Sequence, residues 1–196
     1  MLMGANKTLQ EQVSILHEII KLDDELYSIL VRLSKLDLPN YYMGAGCITQ
    51  SVWNSLYSCE IGYGISDVDI VYFDSDLSME KESCIIEHLT KELPNTRYAL
   101  DIKNQARVHL WYEEKFGFPT VAYKSTEEAI NTWPSTATSI GVKLENGALK
   151  VYAPYGMNDM FNGIIRANKT LITKEIHDQK SKKWYNKWQG LTVIKW

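Results

Sequence analysis

Residues 41–73 read YYMGAGCITQSVWNSLYSCEIGYGISDVDIVYF and combine a glycine-rich turn with two closely spaced aspartates. We interpret this stretch as a strand, a glycine turn, a helix, a loop and a second strand. Asp67 and Asp69 stand two residues apart at the start of the second strand, so their side chains are expected on the same face. The residues that follow, from Ile70 to Phe73, are β-branched or aromatic, which is typical of a largely buried strand.

Two adjacent carboxylates repel each other and call for a cation, and Mg²⁺ or Mn²⁺ is the natural partner for such oxygen ligands. A third carboxylate, Asp101, lies in a second apolar run, TRYALDIK, which alternates as a strand should. We therefore predict that Asp67, Asp69 and Asp101 converge at one edge of a mixed sheet and bind the metal. The alternative is that Asp-x-Asp marks a turn or a solvated edge, as it does by chance in many proteins.

The glycine turn is a candidate phosphate site. Glycine at positions 44 and 46 permits positive φ and close backbone approach. The free N–H groups and the dipole of a helix start attract anions. We predict that phosphates bind at Gly44, Ala45 and Gly46; the alternative is that these residues only form a tight strand-to-helix turn.

Two cations near Asp101 are further candidates for phosphate binding. Lys103 shares the face of Asp101 on the predicted strand, and Arg107 follows on a predicted helix that starts at Gln105. The alternative is ordinary pairing with Glu113, Glu114 or other acidic neighbours.

These motifs together resemble the nucleotidyltransferase superfamily of DNA polymerase β: Gly-Ala-Gly before a helix, Asp-x-Asp on a strand, and a lone Asp on a later strand. More narrowly, the chain is similar to a small bacterial family of nucleotidyltransferases. The similarity runs from about Tyr41 to Trp196 and is carried by GAGCITQSVWN, SDVDIVYFD, KNQARVHLWY, TWPSTATSIGV, YAPYGMNDMF and KWYNKW.

The resemblance implies an α+β fold of the polymerase-β type, a mixed sheet flanked by helices. It implies transfer of a nucleoside monophosphate from a nucleoside triphosphate such as ATP to an unknown hydroxyl acceptor, by a two-metal mechanism. Asp67, Asp69 and Asp101 would be the catalytic residues and would hold Mg²⁺ (or Mn²⁺), with the nucleotide bound by Gly44, Ala45, Gly46, Lys103 and Arg107.

Two other functions stay open. The superfamily's usual Ser after the glycine and a nearby Arg in the helix are absent, because Cys47, Ile48, Thr49 and Gln50 follow Gly46. This departure favours a catalytically silent binding module. A metal-dependent nucleotide-sugar transferase is the third hypothesis, but it needs a nucleotide-binding half ahead of Asp-x-Asp, and one helix and one strand are too little.

Composition adds limits. The chain has 196 residues and a net charge of −3, which gives no general affinity for nucleic acid or membrane. Residues 166–196 hold eight Lys/Arg and two Asp/Glu, a balance of +6, so the rest carries −9. The three cysteines lack metal-type spacing, and neither a signal peptide nor an apolar run long enough for a membrane span is found. We expect a reduced, cytoplasmic protein with no membrane partner.

We expect one nucleotidyltransferase-like domain over 1–196, with a helical segment at 1–38, a catalytic core at 39–165 and a basic helical end at 166–196. Helices are predicted at 8–36, with a break at Asp23-Asp24, at 49–58 with Thr49 as cap, at 78–92, at 125–132 and at 173–188. Asn146-Gly147 predicts a hairpin. Two expectations are open for the last helix. If its charge serves the reaction, it lies near the active site, and Lys180, Lys182, Lys183 and Lys187 help to offset the charge of the triphosphate. The blander expectation packs Ile176, Trp184 and Trp188 on the core and leaves the lysines in solvent.

Overall fold

The computed structural model describes residues 4–196, and its centre is a five-stranded mixed sheet in the order β3-β2-β1-β4-β5. β2 and β3 run parallel, and the other neighbours are antiparallel. The mixed sheet expected from the sequence is thus confirmed. Its strands are β1 Tyr42–Gly44, β2 Asp67–Tyr72, β3 Ala99–Asn104, β4 Gly141–Glu145 and β5 Ala148–Tyr152.

Two helices at the start of the chain pack against one face of the sheet. They are α1 Leu9–Lys21 and α2 Asp24–Leu33, so the predicted break at Asp23-Asp24 is confirmed. Thr8 and Glu11 form a capping box at the start of α1, and the buried Asp23 carboxylate accepts hydrogen bonds from the backbone N–H groups of Glu25 and Leu26 in the first turn of α2. Both helices contribute fully buried side chains to the main core that contains the sheet's inner side chains, namely Leu16 and Ile20 of α1 and Leu26, Ile29, Leu30 and Leu33 of α2.

The third helix begins earlier than the sequence predicts. Helix α3, Gly46–Leu56, has Ala45 at its N-cap and no capping side chain, so the prediction that Thr49 caps it is wrong. The Thr49 hydroxyl instead donates to the carbonyl groups of Ala45 and Ala137. Because the chain reverses direction at Ala45 itself, α3 begins at the next residue, Gly46, and not three residues later.

The remaining elements follow the sequence patterns closely. The predicted helices at 78–92 and 125–132 are present as α4, Met79–Glu92, and α6, Thr126–Ile130, and the hydroxyls of Ser78 and Ser125 cap them. Asn146 and Gly147 both have positive φ and close the predicted hairpin of β4 and β5. A 3₁₀-helix at Gln105–Leu110 stands where an α-helix was predicted. The other elements are α5 Tyr112–Phe116, α7 Asn158–Phe161, β6 Ile164–Ile165, α8 Lys174–Lys187 and β7 Thr192–Val193.

The C-terminal segment returns to the body of the molecule. β7 pairs in parallel with β6, and the Trp188 side chain at the end of α8 is 1% exposed. No helix among residues 4–196 is long and apolar enough to cross a membrane.

Candidate active site

The three predicted carboxylates meet on one face of β2 and the edge strand β3. Asp67 and Asp69 project from alternate positions of β2, and Asp101 stands directly opposite Asp69 in the parallel register of β2 and β3. One carboxylate oxygen from each residue lies within 4.8 Å of the other two. The structure therefore brings together the residues that the sequence selected.

The opposite face of β2 explains why the strand holds this geometry. Val68, Ile70 and Tyr72 are each 0% exposed and belong to the main core. A one-residue slip of the strand would bury the carboxylates and expose these side chains, so the core fixes the register.

The electrostatics of the cluster are unfavourable to a fully ionised state. Burial raises the pKa of Asp69 to about 7, and the neighbouring charges of Asp101 and Asp67 add to the shift, whereas Lys103 and Lys180 oppose it. Lys103 also donates a hydrogen bond to the Asp101 carboxylate. Negative charge is thus concentrated on β2 and only partly offset by these lysines.

The donor set fits a divalent cation. Three carboxylates with oxygens this close are hard ligands of the type that Mg²⁺ and Mn²⁺ prefer. A bound cation would also relieve the repulsion that raises the pKa of Asp69. Asp67, Asp69 and Asp101 could therefore hold a metal.

The glycine turn lies beside the carboxylates, because Gly44 pairs with Asp69 across β1 and β2. A Cβ on Gly44 would meet the Ile140 carbonyl oxygen at 2.3 Å, so this position requires glycine for close backbone approach. The positive φ is at Ala45, with φ 54° and ψ −126°, and not at either glycine. The Ala45 N–H donates to the same Ile140 carbonyl at 2.9 Å, which holds the residue in this strained conformation.

A cleft of about 340 Å³ joins part of the turn, two of the three carboxylates and a group of aromatic side chains; Gly44 and Asp101 are not part of its lining. Ala45, Gly46 and Lys103 line it, together with Asp67 and Asp69. Its far part is lined by aromatic residues of the β3–β4 connection, namely Trp111, Tyr112, Phe116, Tyr123 and Trp133.

Arg107 is not brought to the cleft. Its guanidinium donates to the Glu82 carboxylate at 2.8 Å and to the Ser78 carbonyl at 3.1 Å, and its side chain is 9% exposed. The sequence had left open pairing with Glu113, Glu114 or other acidic neighbours, and the structure shows such a pairing, with Glu82 as the partner. The partner lies on α4, a contact that the local pattern around Arg107 does not contain.

The sequence left two expectations open for the lysines of α8. Lys180 and Lys187 are half-buried and line the cleft together with the exposed Lys183, whereas Lys182 is exposed and does not line it. The expectation that leaves these lysines in solvent is therefore wrong for Lys180 and Lys187. The spacing of the three lysines, at i, i+3 and i+7 on the face that also carries Trp184, is the signal that could have identified them.

The comparisons with known proteins agree with this geometry. A model of a nucleotidyltransferase family matches residues 31–193. A solved NMR structure, described as revealing a CCA-adding enzyme head domain, matches with a TM-score of 0.75 at 24% sequence identity, over 98% of this chain and 100% of that one. A comparison with curated proteins gave no significant match.

At this identity the structural likeness shows the fold alone, a mixed α+β nucleotidyltransferase fold as the sequence predicts. The family match spans most of the chain and is independent of the structural one. The chain therefore belongs to the nucleotidyltransferase family.

Proposed function

We propose that this protein transfers a nucleoside monophosphate from a nucleoside triphosphate to a hydroxyl group of an acceptor. The observation that carries the proposal is the convergence of Asp67, Asp69 and Asp101 beside the N-terminus of α3. Carboxylates next to a free helix N-terminus suit a metal-bound triphosphate, since the phosphates then meet N–H donors while the metal meets the acids.

In the proposed reaction the acceptor oxygen forms a bond to the α-phosphorus, and the bond from that phosphorus to the β-phosphate bridging oxygen breaks. Pyrophosphate leaves, and the acceptor proton passes to the Asp101 carboxylate. Lys103, which donates to Asp101, helps to hold this carboxylate in place. The chain's contribution is mainly positioning and charge neutralisation.

Asp67, Asp69 and Asp101 are the proposed ligands of Mg²⁺, or of Mn²⁺ in its place. When bound, the metal supplies Lewis-acid stabilisation of phosphate charge and lowers the pKa of the attacking hydroxyl. Gly46, the first residue of α3, lines the same cleft and would offer its N–H to the phosphates, whereas the Ala45 N–H is already engaged by the Ile140 carbonyl.

One observation favours a second function, that of a binding module without catalysis. The residue after Gly46 is Cys47, whose thiol is buried and donates to the Gly44 carbonyl at 3.1 Å. It cannot serve as the exposed hydroxyl that the superfamily usually has there. Such a module would still bind a triphosphate but would transfer nothing.

Calorimetric titration with the four common nucleoside triphosphates, with and without Mg²⁺, tests the proposal. We expect Mg²⁺-dependent binding of at least one of them to the wild type and loss of that metal dependence in Asp67→Asn. Asp37→Asn, a change at an exposed residue between α2 and β1, is the matched control. Binding that is equally strong without Mg²⁺, or unchanged in Asp67→Asn, would contradict the proposed role of the carboxylates.

A further inference from the structure

We propose that α8 supplies a polyphosphate clamp, in which Lys180, Lys183 and Lys187 bind the β- and γ-phosphates of the substrate and the departing pyrophosphate. This inference rests on the proposed function, because it assigns a subsite in the same cleft. Helix α3, which follows the glycine turn, lacks a cation that could contact the phosphates. In this proposal the lysines of α8, near the end of the chain, provide these contacts instead.

The geometry of α8 presents the three lysines as a set. They occur at i, i+3 and i+7, so they lie along one face of the helix, and all three line the cleft that contains Asp67 and Asp69. Lys182 stands between them in sequence but is exposed outside the cleft.

Lys180 is the central member. It is half-buried, and the charges of Asp69 and Asp67 are felt at its ammonium group. None of the ion pairs within residues 4–196 involves it. Its ammonium group lies over the Trp184 ring at 5.9 Å, a contact that does not neutralise its charge. Partial burial of an ammonium group without a carboxylate partner is unfavourable, and an anion bound in the cleft would compensate for this.

The other cations of the cleft are already engaged. Lys103 pairs with Asp101, and the Lys115 ammonium lies over the Trp111 ring at 5.4 Å. Lys187 donates one hydrogen bond to the Gly64 carbonyl at 2.9 Å, which leaves two of its three N–H donors.

The helix is held firmly enough to position these charges. The Trp53 ring of α3 packs edge-on against both Trp184 and Trp188 of α8, at centroid distances of 5.8 and 5.4 Å. The Trp188 indole N–H donates to Asn54 of α3 at 2.8 Å. The lysines are therefore fixed relative to α3, whose N-terminus is the other phosphate-binding element.

The need for such a clamp follows from charge. The carboxylates and a triphosphate are all negative, and the helix after the glycine turn offers Gln50 in the cleft and no cation in its first turn. A low-dielectric cleft strengthens the interaction of phosphate oxygens with ammonium groups.

Binding of inorganic tripolyphosphate to the metal-free protein in EDTA tests the clamp, measured by calorimetry at low and high salt. Lys180→Met keeps the aliphatic stem and should weaken binding about tenfold, as expected for loss of one charge-assisted hydrogen bond. The triple variant, in which Lys180→Met is combined with Lys183→Gln and Lys187→Gln, should lose more affinity for tripolyphosphate. Its remaining binding should no longer depend on the salt concentration. Lys182→Gln is the matched control on the same helix and should bind as the wild type does.

Lys180→Arg retains the charge and should keep most of the wild-type affinity. This result would show that the loss in Lys180→Met comes from the missing positive charge and not from a disturbed helix. Unchanged affinity in Lys180→Met, or an equal loss in Lys182→Gln, would overturn the clamp. Tripolyphosphate binding through these lysines without any nucleotidyl transfer would refute the proposed function and leave the clamp intact. Nucleotidyl transfer by Lys180→Met with an unchanged KM for the triphosphate would refute the clamp and leave the proposed function intact.

Discussion

Replacing Asp69 by Asn should stabilise the metal-free protein at neutral and alkaline pH. The carboxyl has a pKa of about 7 in the folded protein against an ordinary value of 3.8, because it is buried and faces Asp101 and Asp67. This difference corresponds to about 4 kcal/mol of unfavourable free energy once the group is ionised. Local relaxation and the lost attraction to Lys103 and Lys180 reduce the gain on substitution, and we expect about 2 kcal/mol.

The sign of the pH dependence follows from the raised pKa. Between about pH 4 and pH 7 the folded protein keeps a proton on Asp69 that the unfolded chain releases, so stability falls as the pH rises through this range. The free energy of unfolding of the wild type in EDTA should therefore decline between pH 5 and about pH 8, and the Asp69→Asn variant should decline less. Above about pH 8, where Asp69 is ionised in both states, the difference between the two proteins should be constant.

Urea unfolding in EDTA, followed by tryptophan fluorescence at several pH values, measures this difference. Asp37→Asn, an exchange of the same type at an exposed site, should leave stability unchanged. Mg²⁺ should raise the melting temperature of the wild type and not that of Asp69→Asn. A large loss of metal-free stability in Asp69→Asn would mean that this carboxylate is structural, and the reasoning would be refuted.

Three further changes test how the site is supported, each by urea unfolding. Ala45→Gly should raise the free energy of unfolding by about 1 kcal/mol, because glycine adopts the positive φ without strain; a loss would contradict the strain. Arg107→Gln should lower it by about 2 kcal/mol, since the Glu82 carboxylate loses its partner, and should leave tripolyphosphate affinity unchanged. Trp188→Phe should lower it by about 2 kcal/mol through a cavity and an unpaired Asn54; full stability would show that Trp188 does not anchor α8.

The carboxylate cluster could be predicted from the sequence because its geometry is set by local rules. Residues two apart on a strand share a face, which placed Asp67 beside Asp69. Asp101 occupies the equivalent position in the next apolar run, and the parallel pairing of β2 and β3 aligns it with Asp69. The apolar pattern of each strand contained this information.

The details that the sequence could not supply depend on partners far along the chain. Ala45 takes the positive φ because its N–H binds the Ile140 carbonyl, and no pattern near the turn contains that contact. Arg107 turns away from the cleft toward Glu82, a residue 25 positions earlier. Sequence periodicity shows which side of a helix or strand a residue lies on, but it does not show which distant residue that side contacts.

The face of α8 is the clearest case. Its sequence shows lysines and tryptophans in alternation, and the blander interpretation assigned the tryptophans to the core and the lysines to solvent. Trp184 and Trp188 do pack against Trp53, and that packing turns the neighbouring lysines into the cleft. The tryptophans that pack on the core and the lysines that line the cleft therefore lie on the same side of α8. A prediction that assigns one side of the helix to the core and the other to solvent does not include this arrangement.

Nucleotidyl transfer itself is tested most directly by following label from the two ends of the substrate. The protein is incubated with Mg²⁺ and a triphosphate labelled at the α- or the γ-phosphate, together with separate pools of small molecules, RNA and protein as acceptors. We predict that α-label, and not γ-label, enters one of these pools, that pyrophosphate is released, and that Asp69→Asn abolishes both. Triphosphate binding without transfer to any pool, or transfer that survives in Asp69→Asn, would contradict the proposed reaction.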